Sequence, residues 1–75
     1  MDLQDFIVKL ADQFEDTDPS EITADCEFQE LDEWSSLTAL GIIAFVKTEY
    51  GKTINGREIR NCSTVEDLFT LVNSK

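Results

Sequence analysis

The fifteen residues from Ser36 to Tyr50 contain Leu37, Leu40, Ile42, Ile43, Phe45, Val46 and Tyr50 and no proline. In a chain of 75 residues, a segment so apolar must be the central element. Its apolar positions fall on more than one stripe of a 3.6-residue period. Such a helix is either buried on most sides or presents part of its surface to a partner. Gly51 follows as a plausible residue just past the helix end. Ser35 is a good N-cap, with a side-chain oxygen able to accept from the N–H of Leu37 or Thr38.

The rest of the chain reads as support for this helix. Leu3, Phe6, Ile7, Leu10 and Phe14 form one apolar stripe, which predicts a first helix over Asp2–Glu15. Asp2 and Asp5 in its first turn complement the helix dipole. Pro19 disfavours helical geometry at Asp18, so that helix is expected to stop before it. Asp16–Glu33 is then a long acidic connection, held down by Ile22, Phe28 and Leu31, with a short helical turn over Ser20–Ala24. Lys52–Asn61 predicts a loop and a short turn of helix, with Ile54 and Ile59 inward and a turn at Asn55–Gly56. Ser63-Thr64-Val65-Glu66 reads as a capping box with Ser63 as N-cap. Val65, Leu68, Phe69 and Val72 then mark a last helix over Thr64–Asn73. No segment reads as a strand. The expected class is all-α, one domain over residues 1–75, with three main helices, one short helix and a long first loop.

Charge narrows the partners. The net charge is −10, with 16 acids against 6 bases. A nucleic-acid backbone or an anionic membrane surface would be repelled, and a basic protein patch would be attracted. Residues 1–33 hold twelve acids against Lys9, whereas residues 34–75 hold four acids against five bases. The acidic surface therefore lies ahead of the serine pair. The acids from Asp16 onward lack the spacing of a calcium loop: Glu21 stands where an EF-hand needs glycine, and Pro19 interrupts the ligands. Two cysteines and no histidine argue against structural zinc, so no metal is expected. Cys26 and Cys62 are expected as reduced thiols, and with no basic leader or spanning apolar run the expected location is cytoplasmic. Met1 and Lys75 suggest a complete small chain, and a monomer is expected. Without histidine or a serine-plus-base arrangement, catalysis has little to work with, and an enzyme is not expected.

Ser36 is the candidate functional residue. With Ser35 as cap, Ser36 stands free at the first helical position, where orphan N–H groups and the dipole favour an anion such as a phosphate ester. Phe28…Leu31…Trp34-Ser35-Ser36-Leu37…Leu40, followed by Tyr50-Gly51, Ile54 and Ser63-Thr64-Val65-Glu66-Asp67-Leu68, resembles the acyl carrier protein family over essentially the whole chain. The resemblance implies a 4′-phosphopantetheine arm, derived from coenzyme A, on Ser36. Acyl groups would be held on it as thioesters in fatty-acid, polyketide or related specialised acyl biosynthesis. It also implies a phosphopantetheinyl transferase and acyl-processing enzymes as partners, with basic docking patches that meet acids near the serine and along the second helix. Here these are Glu30, Asp32, Glu33 and Glu49, with Leu37, Leu40 and Ala44 offering apolar contact. Ile43, Phe45, Val46, Ile59 and Leu68 are the candidates to shelter an acyl chain. The family usually has Asp before the modified serine, and this chain has Ser35. The alternative that this departure favours is an unmodified carrier-like module that works by helix docking.

Overall fold

A computed structural model describes residues 2–75; Met1 lies outside them. Four α-helices follow one another: α1 Leu3–Ala11, α2 Ser36–Tyr50, α3 Gly56–Arg60 and α4 Val65–Asn73. Two 3-10 turns, Pro19–Glu21 and Phe28–Glu30, punctuate the connection between α1 and α2. No strand occurs among the described residues. The predicted all-helical class is observed, and α1 packs along α4 while α2 packs along α3.

The core is built from the stripes read in the sequence. Phe6, Leu10 and Phe14 from α1 and its exit meet Ile42, Phe45 and Val46 from α2 and Val65, Leu68 and Val72 from α4, all buried. Phe6 is the hub, with no exposed surface. Its ring centroid lies 6.2 Å from Phe45, 5.8 Å from Tyr50 and 5.6 Å from Phe69. Tilted and edge-on rings at such separations add to the burial of their area. Ile22, Phe28, Ile54 and Ile59 are buried as predicted, while Leu31 is only half-buried against this core.

Helix ends differ from the sequence reading, for local reasons. α1 stops at Ala11, four residues short of Glu15, and Pro19 is not what ends it. The chain instead tightens through Gln13 N–H to Leu10 C=O and Phe14 N–H to Ala11 C=O, at 2.9 and 3.1 Å. The next donors, Glu15 and Asp16 N–H, turn away to the Glu33 carboxylate. Pro19 opens a 3-10 turn, with Asp18 as its cap, where the turn over Ser20–Ala24 was expected. Asn55 is no simple turn residue: it caps α3 in a capping box with Glu58. The last box is shifted by one residue, to Thr64 and Asp67, so that Ser63 lies outside it. The shorter Asp67 carboxylate accepts from both Ser63 and Thr64 N–H, which leaves Glu66 without that role.

The long connection is fastened by hydrogen bonds as well as by apolar anchors. Cys26 C=O accepts from Val65 N–H at 3.0 Å, and Ala24 C=O from Glu66 N–H at 2.9 Å. These are orphan donors at the start of α4. At the other end, Gln29 Nε2 donates to the carbonyls of Ile59, Arg60 and Cys62 at 3.0, 3.3 and 2.6 Å, closing the exit of α3. Gln29→Ala is expected to lower stability by about 1–2 kcal/mol, the cost of leaving the partly buried Cys62 carbonyl without a donor. Urea unfolding followed by circular dichroism checks this, with native helix content unchanged.

Candidate functional site

The approach to α2 is packed and hydrogen-bonded. Phe28 and Trp34 meet edge-on, with centroids 5.2 Å apart and planes at 67°, and Trp34 N–H reaches Leu31 C=O at 3.0 Å. Ser35 then takes extended geometry as N-cap, its Oγ accepting the Thr38 N–H at 3.3 Å. The two side-chain oxygens, Ser35 Oγ and Thr38 Oγ1, lie 3.2 Å apart. Thr38 Oγ1 donates back to the Glu33 carbonyl at 2.9 Å. The chain thus folds over itself at the start of the helix, and Ser36 takes no part in this network.

Ser36 is the first residue of α2 and is exposed. Ala39 N–H takes the Ser35 carbonyl at 3.0 Å, so the N–H groups of Ser36 and Leu37 precede the helix ladder. No carboxylate lies in the first turn of α2. The site therefore joins an accessible hydroxyl to the positive end of a fifteen-residue helix.

Beyond Ser36 the outward face of α2 is apolar as far as Ala44, and Lys47, Thr48 and Glu49 are exposed after it. Leu37 is 80% exposed and Leu40 61%, and Gly41 and Ala44 are exposed beside them. Ile42, Phe45 and Val46 take the inward face, and Ile43 is half-buried. Between Leu37 and Val46 the helix is apolar on both sides, one feeding the core and the other facing outward.

The acids assigned to docking divide into two groups. Glu30 and Asp32 are exposed on the chain leading to Ser36. Glu33 is half-buried, and its carboxylate is engaged by Glu15 N–H, Asp16 N–H and the Thr17 hydroxyl. Desolvation pushes the Glu33 carboxyl up, but the hydrogen bonds from Thr17, Glu15 and Asp16 together outweigh it and hold the group below the usual glutamate value. Glu49 is exposed and ion-paired with Lys9 at 3.3 Å, and Lys9 also meets Asp5 at 3.2 Å. Those hydrogen bonds, Asp5 first and then Glu49, push the Lys9 ammonium pKa up. Sequence reasoning missed both the Glu33 contacts and the part of Thr38. An acceptor that collects donors 16 to 18 positions away leaves no local pattern to read.

Phe45, Val46, Ile59 and Leu68 are buried within the close-packed core. Both cysteines are free, and burial pushes each thiol pKa up, away from reactive thiolate character. Among the described residues no cluster of three or more His, Cys, Asp and Glu is placed to hold a metal ion, and no helix is long and apolar enough to cross a membrane.

No protein-family model, curated protein or solved structure matches the chain.

Proposed function

We propose that the chain is an acyl carrier protein whose Ser36 hydroxyl receives a 4′-phosphopantetheine arm from coenzyme A. The observation that carries this reading is the division of labour at the start of α2. Ser35 does the capping, and Ser36 keeps an exposed hydroxyl with no structural task. In loading, Ser36 Oγ attacks the phosphorus that bears the pantetheine. The Oγ–P bond forms, the P–O bond within the pyrophosphate breaks, and 3′,5′-ADP leaves with the electron pair. The serine proton passes to a base of the transferase or to solvent. The attached arm supplies a terminal thiol on which acyl groups are held as thioesters.

This chain's own residues suit that role. The N–H groups of Ser36 and Leu37, with the dipole of α2, favour the phosphodiester charge. Leu37, Leu40 and Ala44 give the transferase and acyl-processing enzymes an apolar strip. Glu30 and Asp32 flank it for basic groups on those partners. Sheltering an acyl chain among Ile43, Phe45, Val46, Ile59 and Leu68 would require the core to open, since four of these are buried. The pathway class is fatty-acid, polyketide or related specialised acyl biosynthesis.

The test is intact mass after incubation with coenzyme A, magnesium and a broad-specificity phosphopantetheinyl transferase. A gain of one phosphopantetheine is expected. No gain, under conditions that fully convert a control carrier, overturns the proposal. Ser35→Asp is expected to speed loading up to about fivefold, the worth of one surface charge pairing of about 1 kcal/mol. Initial rates of mass gain measure it, and an unchanged rate shows that the carboxylate was never limiting.

A second reading is an unmodified module that docks through α2. The exposure of Leu37 and Leu40 favours it, because an apolar helix face can serve a partner without any arm.

A further inference from the structure

Glu33 stands in a run of acids, and its contacts set it apart from them. Oε2 accepts the Glu15 N–H at 2.7 Å; Oε1 accepts the Asp16 N–H at 3.0 Å and the Thr17 hydroxyl at 2.8 Å. The same residue's carbonyl accepts the Thr38 hydroxyl at 2.9 Å, and Thr38 is the residue that Ser35 caps. One residue therefore joins the exit of α1 to the first turn of α2. Charge-assisted acceptors of this kind are stronger than neutral ones, and three donors converge on a single carboxylate.

We propose that Glu33 is a positioning residue for loading at Ser36, rather than a docking acid. It rests on the reading that Ser36 carries the arm. Its side chain fixes the segment Glu33–Ser35 against the body of the domain, and its carbonyl fixes Thr38. Ser36 lies between these two fastenings. A nucleophile misplaced by about 1 Å can lose about a hundredfold in rate, so fastening on both sides of Ser36 bears directly on transfer. Glu33 touches neither coenzyme A nor the reacting hydroxyl in this role; it acts through Ser35 and Thr38.

The test compares Glu33→Gln and Glu33→Asp with the parent in the loading assay. Gln keeps the length but sets an amide NH2 against donors. Asp keeps the charge but shortens the reach by one methylene. Both are expected to lower kcat about tenfold with KM within twofold, because docking is untouched. A docking acid would give the opposite: Glu33→Gln would raise KM at constant kcat, Glu33→Asp would restore it, and the salt dependence would weaken. That result, or parental kinetics in both variants, overturns the proposal.

Amide hydrogen exchange at Glu15, Asp16 and Thr38 is read on the same proteins, loaded or not. Faster exchange at all three in Glu33→Gln, with unchanged circular dichroism, is expected. Unchanged exchange at Thr38 overturns the latch itself. A parent chain that takes no arm overturns the carrier reading, and with it the loading role, while the exchange data still separate that failure from a missing latch.

Discussion

Ser36→Ala is expected to gain no mass in the loading assay, where the parent gains one phosphopantetheine. The loss is complete because the hydroxyl oxygen is the bonding atom, and no neighbour replaces it. Ser35 is adjacent in sequence, but its Oγ accepts the Thr38 N–H and lies 3.2 Å from Thr38 Oγ1. The substitution removes no cap, and alanine is a better helix former than serine by a few tenths of a kcal/mol. The far-ultraviolet circular dichroism of Ser36→Ala should therefore match the parent. Ser35→Ala reverses the pattern: it loses about 1 kcal/mol of stability with the cap and still takes the arm. Full loading of Ser36→Ala would move the attachment elsewhere and overturn the assignment.

Phe6→Ala is expected to have the largest effect on stability. Phe6 is wholly buried and links α1 to Phe45 and Tyr50 of α2 and Phe69 of α4. Truncating a core phenylalanine to alanine costs about 3–5 kcal/mol in lost transfer energy and cavity. A domain of 75 residues has about 4–11 kcal/mol in all. The variant should therefore lose about a quarter of its stability at the least, and at the low end of that range little or none is left. Chemical denaturation measures the loss. Phe6→Leu, which leaves a smaller cavity, keeps the result readable if Phe6→Ala does not fold; near-parental stability in both would remove Phe6 from its place as hub.

The elements that were legible in the sequence are those decided by neighbours within a few residues. α2 was readable from Ser35 to Gly51 because a serine cap, an apolar run and a glycine able to adopt positive φ all lie within the segment. Gly51 takes φ 65°. The inward faces of α1 and α4 were readable from their stripes. The end of α1 was not, because it depends on Glu33, a residue far along the chain that draws off the Glu15 and Asp16 donors. The last capping box was misread by one position, since Ser63–Glu66 and Thr64–Asp67 satisfy the same pattern and only the fold chooses between them. At the candidate site, the roles of Ser35 as cap and Ser36 as the free hydroxyl followed from position alone. The outward place of Leu37 and Leu40 came from the family resemblance, which makes them partner contacts, because the apolar run alone does not say which side of the helix is covered.

The connection between α1 and α2 also completes the other helices. Ala24 and Cys26 supply acceptors to α4, Gln29 supplies a donor to α3, and Glu33 supplies acceptors to the exit of α1. Its length is therefore fixed at several points. One residue inserted between Ala24 and Glu33 would put the anchors before it out of register with those after it, whereas an insertion in an ordinary surface loop costs little. This connection, though without a long helix, is held to its length by the helices it closes.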